Sequence, residues 1–150
     1  MARWAPARAD VIGEYAAEVQ DLFPAGRILV GLDCDDAVAD LAFARDLAAA
    51  ISARGVAAEA VELRDEAAFR TEVLAPFRAG GVLPGERAVL VVAGQGLLEP
   101  GLVGVWHTTA WLDVPGAARI DRRTAPPARA NATFDLSDVA HPRRVFADAC

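Results

Sequence analysis

Residues 10 to 23 place Val11, Tyr15, Val19 and Leu22 at intervals of three and four, a spacing that predicts an amphipathic helix with Asp10 as its N-cap. Pro24 and Gly26 end it. The next run, Arg27 to Asp33 (RILVGLD), is short and apolar and predicts a buried strand. After a polar loop, Leu41, Ala44, Leu47, Ala48 and Ile51 return to helical spacing, and Arg54-Gly55 is a stop signal. Val56 to Leu63 alternates loosely as a second strand, and Glu66 to Arg78 reads as a helix. Turn residues Gly80-Gly81 and Pro84-Gly85 precede the buried-strand pattern AVLVVAG, Ala88 to Gly94.

A short helical or turn segment around Leu97 to Val103 leads to a strand over Thr108 to Val114. Pro115 to Arg129 is rich in Pro, Ala and Arg, has no period, and reads as a mobile loop. Ala130 to Leu136 reads as the last strand. Strands alternating with helices predict a single α/β domain over residues 1–150, with a mostly parallel five-stranded sheet flanked by helices in three layers. Ligands of such sheets sit at the carboxyl ends of the strands, so residues 33 to 40 mark the expected site.

Composition sharpens this picture. Hydrophobic residues make up 54% of the 150 positions, enough to fill a core, and the net charge is −6. An acidic chain is repelled by nucleic acid and by anionic membranes, which leaves neutral, cationic or protein partners. Every basic residue among the 15 is Arg, so a mechanism that needs a lysine of this chain is excluded. Cys34 and Cys150 form no spaced framework, the N-terminus lacks an apolar signal segment, and no apolar run is long enough to span a bilayer. A cytoplasmic protein is the expectation.

With strand and helix placed around residue 33, the chain resembles the uridine-kinase family of P-loop kinases, in particular its degenerate actinobacterial-type members. The resemblance is carried by the helix before RILVGLD, the strand-loop-helix unit, EVLAPFRAGG (Glu72 to Gly81), AVLVVAG, and GLVGVWHTTAWLDVP (Gly101 to Pro115). It implies a P-loop-kinase-like fold. A working phosphate loop reads G-x-x-x-x-G-K-S/T: the glycines let backbone N–H groups wrap the phosphates, the lysine reaches the β and γ groups, and the hydroxyl holds Mg²⁺. Here the first glycine is replaced by Cys34, the second by Ala39, the lysine by Asp40 and the hydroxyl by Leu41. Two unit charges 4 Å apart interact by roughly 4 kcal/mol at an effective dielectric of 20, so Asp40 turns attraction for a phosphate into repulsion of similar size. The acid that the family carries in its VLVVEG strand is Ala93 here. Of its acidic acceptor-side motif, Asp65 is the remnant, with Glu62 a second candidate.

Asp33, Asp35, Asp36 and Asp40 crowd one loop and helix start. Carboxylates there cap free N–H groups, and this structural role is the simpler explanation. The sharper one gives Asp33, Asp36 and Asp40 an acid/base or cation-binding role, with Cys34, Asp35, Asp65 and Gln95 as ligand-binding neighbours. A calcium loop is excluded by the missing central Gly and terminal Glu, and no other metal pattern or cofactor signature is present. Cys34 reads as a packing residue, His107 and His141 as structural, and Trp106 and Trp111 as packing around their strand. The pairs Arg122-Arg123 and Arg143-Arg144 read as solvated charges that could support a homodimer. Three functions follow, in this order: a kinase-fold protein without phosphotransfer that binds or transforms a neutral or cationic small molecule, a non-catalytic scaffold for a protein partner, and a residual nucleoside kinase.

Overall fold

A computed structural model describes residues 6–114 and 130–146. The expected loop over Pro115 to Arg129, the pair Arg122-Arg123 and Cys150 lie outside the described residues.

The chain folds into three layers around a six-stranded sheet of order β2-β3-β1-β4-β5-β6. Strands β1 (Arg27–Cys34), β2 (Ala57–Leu63), β3 (Ala88–Gly94), β4 (Thr108–Asp113) and β5 (Ala132–Asp135) are parallel. The expected α/β class holds, with one strand more than the five predicted. The sixth, β6 (Arg143–Val145), runs antiparallel to β5 at the sheet edge. It escapes sequence reading because three residues, two of them Arg, carry no apolar alternation.

Period-two alternation along β1 sorts its side chains between two cores. Ile28, Val30, Leu32 and Cys34 face helices α1 (Arg8–Leu22) and α2 (Ala37–Ala53). Leu29 joins Phe69, Phe77, Leu97 and Trp106 on the opposite face. Gly31 lies on that second face, where an added Cβ would come within 2.8 Å of Trp106 Cδ2. Trp106 and Trp111 are buried, as expected of packing residues, and Trp106 Nε1 donates to the Leu97 carbonyl at 2.9 Å.

Helix α1 begins three residues earlier than its sequence signals imply. Its N-cap is Ala7 rather than Asp10, and no side chain caps it. Tertiary bonds fix the start instead: the Arg8 N–H donates to the Ala140 carbonyl at 3.1 Å, and Arg8 Nε pairs with Asp46 of α2 at 2.9 Å. The helix expected over Glu66 to Arg78 forms as α3 (Glu66–Ala68), a π-helical stretch (Phe69–Leu74) and α4 (Ala75–Arg78). The wider turn falls just before Pro76, which has no N–H to donate to the preceding helical turn.

Arg27 secures the far side of that helix. Its guanidinium donates to the carbonyls of Phe77 at 2.6 Å, Leu83 at 2.6 Å, Gly85 at 2.7 Å and Val82, and lies 4.4 Å from the centre of the Phe77 ring. Arg144, expected to be solvated, instead pairs within the chain with Glu18 and stacks near Tyr15 and Phe134. Among the described residues no helix is long and apolar enough to cross a membrane.

Candidate functional site

Strand β1 ends at Cys34 and α2 begins at Ala37, so Asp35 and Asp36 alone connect them. Asp36 is the N-cap of α2: its Oδ1 accepts the N–H groups of Val38 and Ala39, each at 2.9 Å. A carboxylate at a helix N-terminus satisfies otherwise unpaired donors and meets the positive end of the helix dipole. Residues 37 to 41, which the resemblance aligns with the second half of a phosphate loop, are therefore helical from their first position. The Asp40 N–H already donates to the Asp36 carbonyl at 3.1 Å.

Asp33 points to the other face of the sheet. It is buried, and its two oxygens accept the N–H groups of Gly96 and Leu98, both at 3.1 Å. It thereby fixes the turn after β3 against the end of β1. Gln95 in that turn donates through Nε2 to the Asp35 carbonyl at 3.0 Å. Asp65 caps α3 by accepting the Ala67 N–H at 2.9 Å and is exposed. Cys34 sits in the core, where burial, with Asp40, Asp36 and Asp35 nearby, pushes its thiol pKa up to about 12 against the pull of the Asp36 N–H. At neutral pH this thiol is protonated, which agrees with a packing role.

Asp40 differs from the rest. Its residue is 1% exposed, yet its Oδ1 has no hydrogen-bond partner. Burial raises its pKa to about 6, and the charges of Glu62, Asp36 and Asp33 push in the same direction, opposed by the Leu41 N–H. Asp40 lines a cleft of about 430 Å³ together with Glu62, Leu63, Arg64, Gly94 and Gln95. The cleft lies at the carboxyl ends of β2 and β3, where an open α/β sheet places its ligands. Glu62 is paired with Arg64 at 3.0 Å, and the Arg64 side chain is mostly exposed, so this pair is weak.

The predicted cluster is thus divided by the fold. Asp40 and Gln95 meet in the cleft, Asp33, Asp36 and Asp65 are engaged by backbone N–H groups, and Cys34 is enclosed in the core. Glu62 and Arg64 join the cleft from β2. The parallel register sets Glu62 beside Ala93, the position where the resembling family carries an acid. Neighbouring strands, not sequence spacing, bring Glu62 to Asp40, so only the remnant acceptor motif hinted at it.

A second concavity of about 290 Å³ is lined by Asp135, Ser137, Asp138, His141 and Arg143. Its acids cap their own turn: Asp135 accepts the Ser137 N–H at 2.8 Å, Asp138 accepts the Ala140 N–H at 3.1 Å, and His141 Nδ1 is 3.0 Å from Asp138. His107 is structural too, accepting the Leu29 N–H at its Nδ1 at 3.0 Å, with its pKa lowered by burial and by Arg78. Among the described residues no three His, Cys, Asp or Glu side chains are grouped so as to hold a metal ion.

No family model matches this chain, and no curated protein matches it. Among solved structures, it resembles the crystal structure of a protein from Silicibacter sp. TM1040 that its name assigns as a fructose transport system kinase. The two share 21% identity over 69% of this chain and 75% of that one, with a TM-score of 0.53. At that identity the likeness concerns the fold, and the fold is kinase-like.

Proposed function

We propose that this domain retains a kinase-like fold without phosphotransfer and uses the cleft beside Asp40 to bind a neutral or cationic small molecule. The observation that carries this reading is the Asp36 carboxylate on the N–H groups of Val38 and Ala39, the amides a nucleotide phosphate would need. The lysine that would accompany them is Asp40, and the chain contains no lysine to replace it. Phosphate at this helix start would meet two carboxylates where a kinase supplies N–H donors and an ammonium. The cleft's volume falls within the usual range of small-molecule sites, roughly 300 to 1,000 Å³.

The test is thermal stability of the purified protein against ATP·Mg, GTP·Mg, uridine and a panel of amines and neutral compounds. A ligand at about 100 times its Kd adds roughly 2.7 kcal/mol of stability. Nucleotides are expected to give no shift, and a clear ATP·Mg shift sinks the reading. A scaffold role for a protein partner has one observation in its favour: outer strand β6 leaves Val145 and, just beyond it, Phe146 exposed. Loss of partner capture on Phe146→Ser, with no response to any small molecule, would favour that role instead.

A further inference from the structure

We infer, resting on the reading of this cleft as the ligand site, that its ligand class is a small organic cation whose ammonium or guanidinium head pairs with Asp40. A buried polar atom without a partner costs stability, about 1–3 kcal/mol and more for a charged group, so it is not expected to persist without a use. Asp40 Oδ1 is such an atom, and it belongs to a residue lining an open cleft. The charges bearing most on Asp40 are all negative: Glu62 from β2, Asp36 from its own helix and Asp33 from β1. Arg64, the cation lining the cleft, is already held by Glu62 through both Nε and Nη2, at 3.2 and 3.0 Å. The cleft therefore presents more negative charge than its own arginine balances.

Its other walls favour an organic cation over a metal ion. The donor set lacks a third close carboxylate or imidazole among the described residues. Leu63 offers an apolar contact for a short carbon chain, and the Gln95 amide offers a polar one. An alkylammonium or a guanidinium supplies hydrogen-bond donors to a lone carboxylate without demanding a coordination shell.

The experiment is calorimetric titration of the full chain at pH 7.5 with putrescine, agmatine, 1-butanol and ATP·Mg. The proteins are the wild type, Asp40→Asn and the control Asp21→Asn, which alters an exposed carboxylate of α1. At least one of the two amines is expected to bind the wild type and Asp21→Asn alike, and to bind Asp40→Asn roughly tenfold or more weakly, the loss of about 1.4 kcal/mol. Amine binding unchanged in Asp40→Asn overturns the inference, as does silence of both amines at millimolar concentration. Butanol binding without amine binding overturns the cation claim yet leaves the small-molecule cleft standing. ATP·Mg binding in the same assay would defeat the underlying reading itself. Asp40→Asn is near-isosteric and removes a buried charge, so it is expected to fold. A second readout is independent of the variant: amine affinity falls as the pH drops through about 6, where Asp40 protonates.

Discussion

The Asp36 carboxylate accepts the Ala39 N–H at 2.9 Å, and the resemblance to P-loop kinases aligns Ala39 with the second glycine of a phosphate loop. The free amides at the start of α2 are taken by a side chain of the chain itself. Restoring the missing functional groups downstream is therefore insufficient. The double variant Asp40→Lys/Leu41→Ser is expected to show no ATP·Mg binding by calorimetry, because Asp36 still covers the amides. Measurable binding by that variant would mean the cap yields readily to phosphate. Removing the cap alone, Asp36→Ala, is expected to cost about 1 kcal/mol of stability.

Asp40 makes a separate prediction about pH. Its folded pKa, about 6, lies above the 3.8 of the unfolded chain, so the folded state binds more protons between those values. Stability contributed by the protonated form is complete below about pH 4 and is lost as the pH rises through 6. Asp40→Asn removes this penalty. The variant is expected to unfold at a higher temperature than wild type at pH 7, the sign of a stability gain on the order of 2 kcal/mol or less. The difference should shrink toward pH 4. A variant less stable than wild type at pH 7 would show that the ionised carboxylate has a stabilising partner.

Part of the architecture could be read from residue order. RILVGLD and AVLVVAG are continuous apolar runs, and both became strands buried along their length. The helix start at Arg8 could not be read, because a bond to Ala140, far along the chain, determines it. The same limit applied to the site. Spacing placed four aspartates in one loop, but strand alternation turned Asp33 to one face while α2 carried Asp40 on the other. Glu62 reached the cleft through the β2–β3 register, a relationship with no local sequence signature. Asp40 was distinguishable from Asp36 only once the helix start was known.

Gly31 tests the packing of the second core. A Cβ there would lie 2.8 Å from Trp106 Cδ2, closer than a Cβ approaches its neighbours, and 3.0 Å from Cγ, a tight contact. Trp106 cannot retreat freely, because its indole N–H is bonded to Leu97. Gly31→Ala is expected to destabilise the fold by about 1–3 kcal/mol in urea unfolding, the usual cost of overpacking. In the double variant with Trp106→Leu, the added cost of Gly31→Ala should largely disappear, a coupling that identifies the clash. An equal cost in both backgrounds would assign the effect to strand backbone strain instead.

Arg27 carries the strongest stability prediction. One guanidinium serves the carbonyls of Phe77, Val82, Leu83 and Gly85, which belong to the end of α4 and the turn before β3. Its planar fork can reach several acceptors at once while stacking on Phe77, and an ammonium cannot copy that arrangement. Arg27→Met keeps the apolar stem but strands carbonyls that the packed turn partly shields from water. Its cost is expected at about 2–4 kcal/mol, and Arg27→Lys should recover less than half of it. Amide hydrogen exchange over residues 77–88 should accelerate in both variants more than exchange in α1, since the arginine tethers that turn to β1. Uniform acceleration across the chain, with no excess in the turn, would mean that Arg27 contributes to global stability without holding this segment in place.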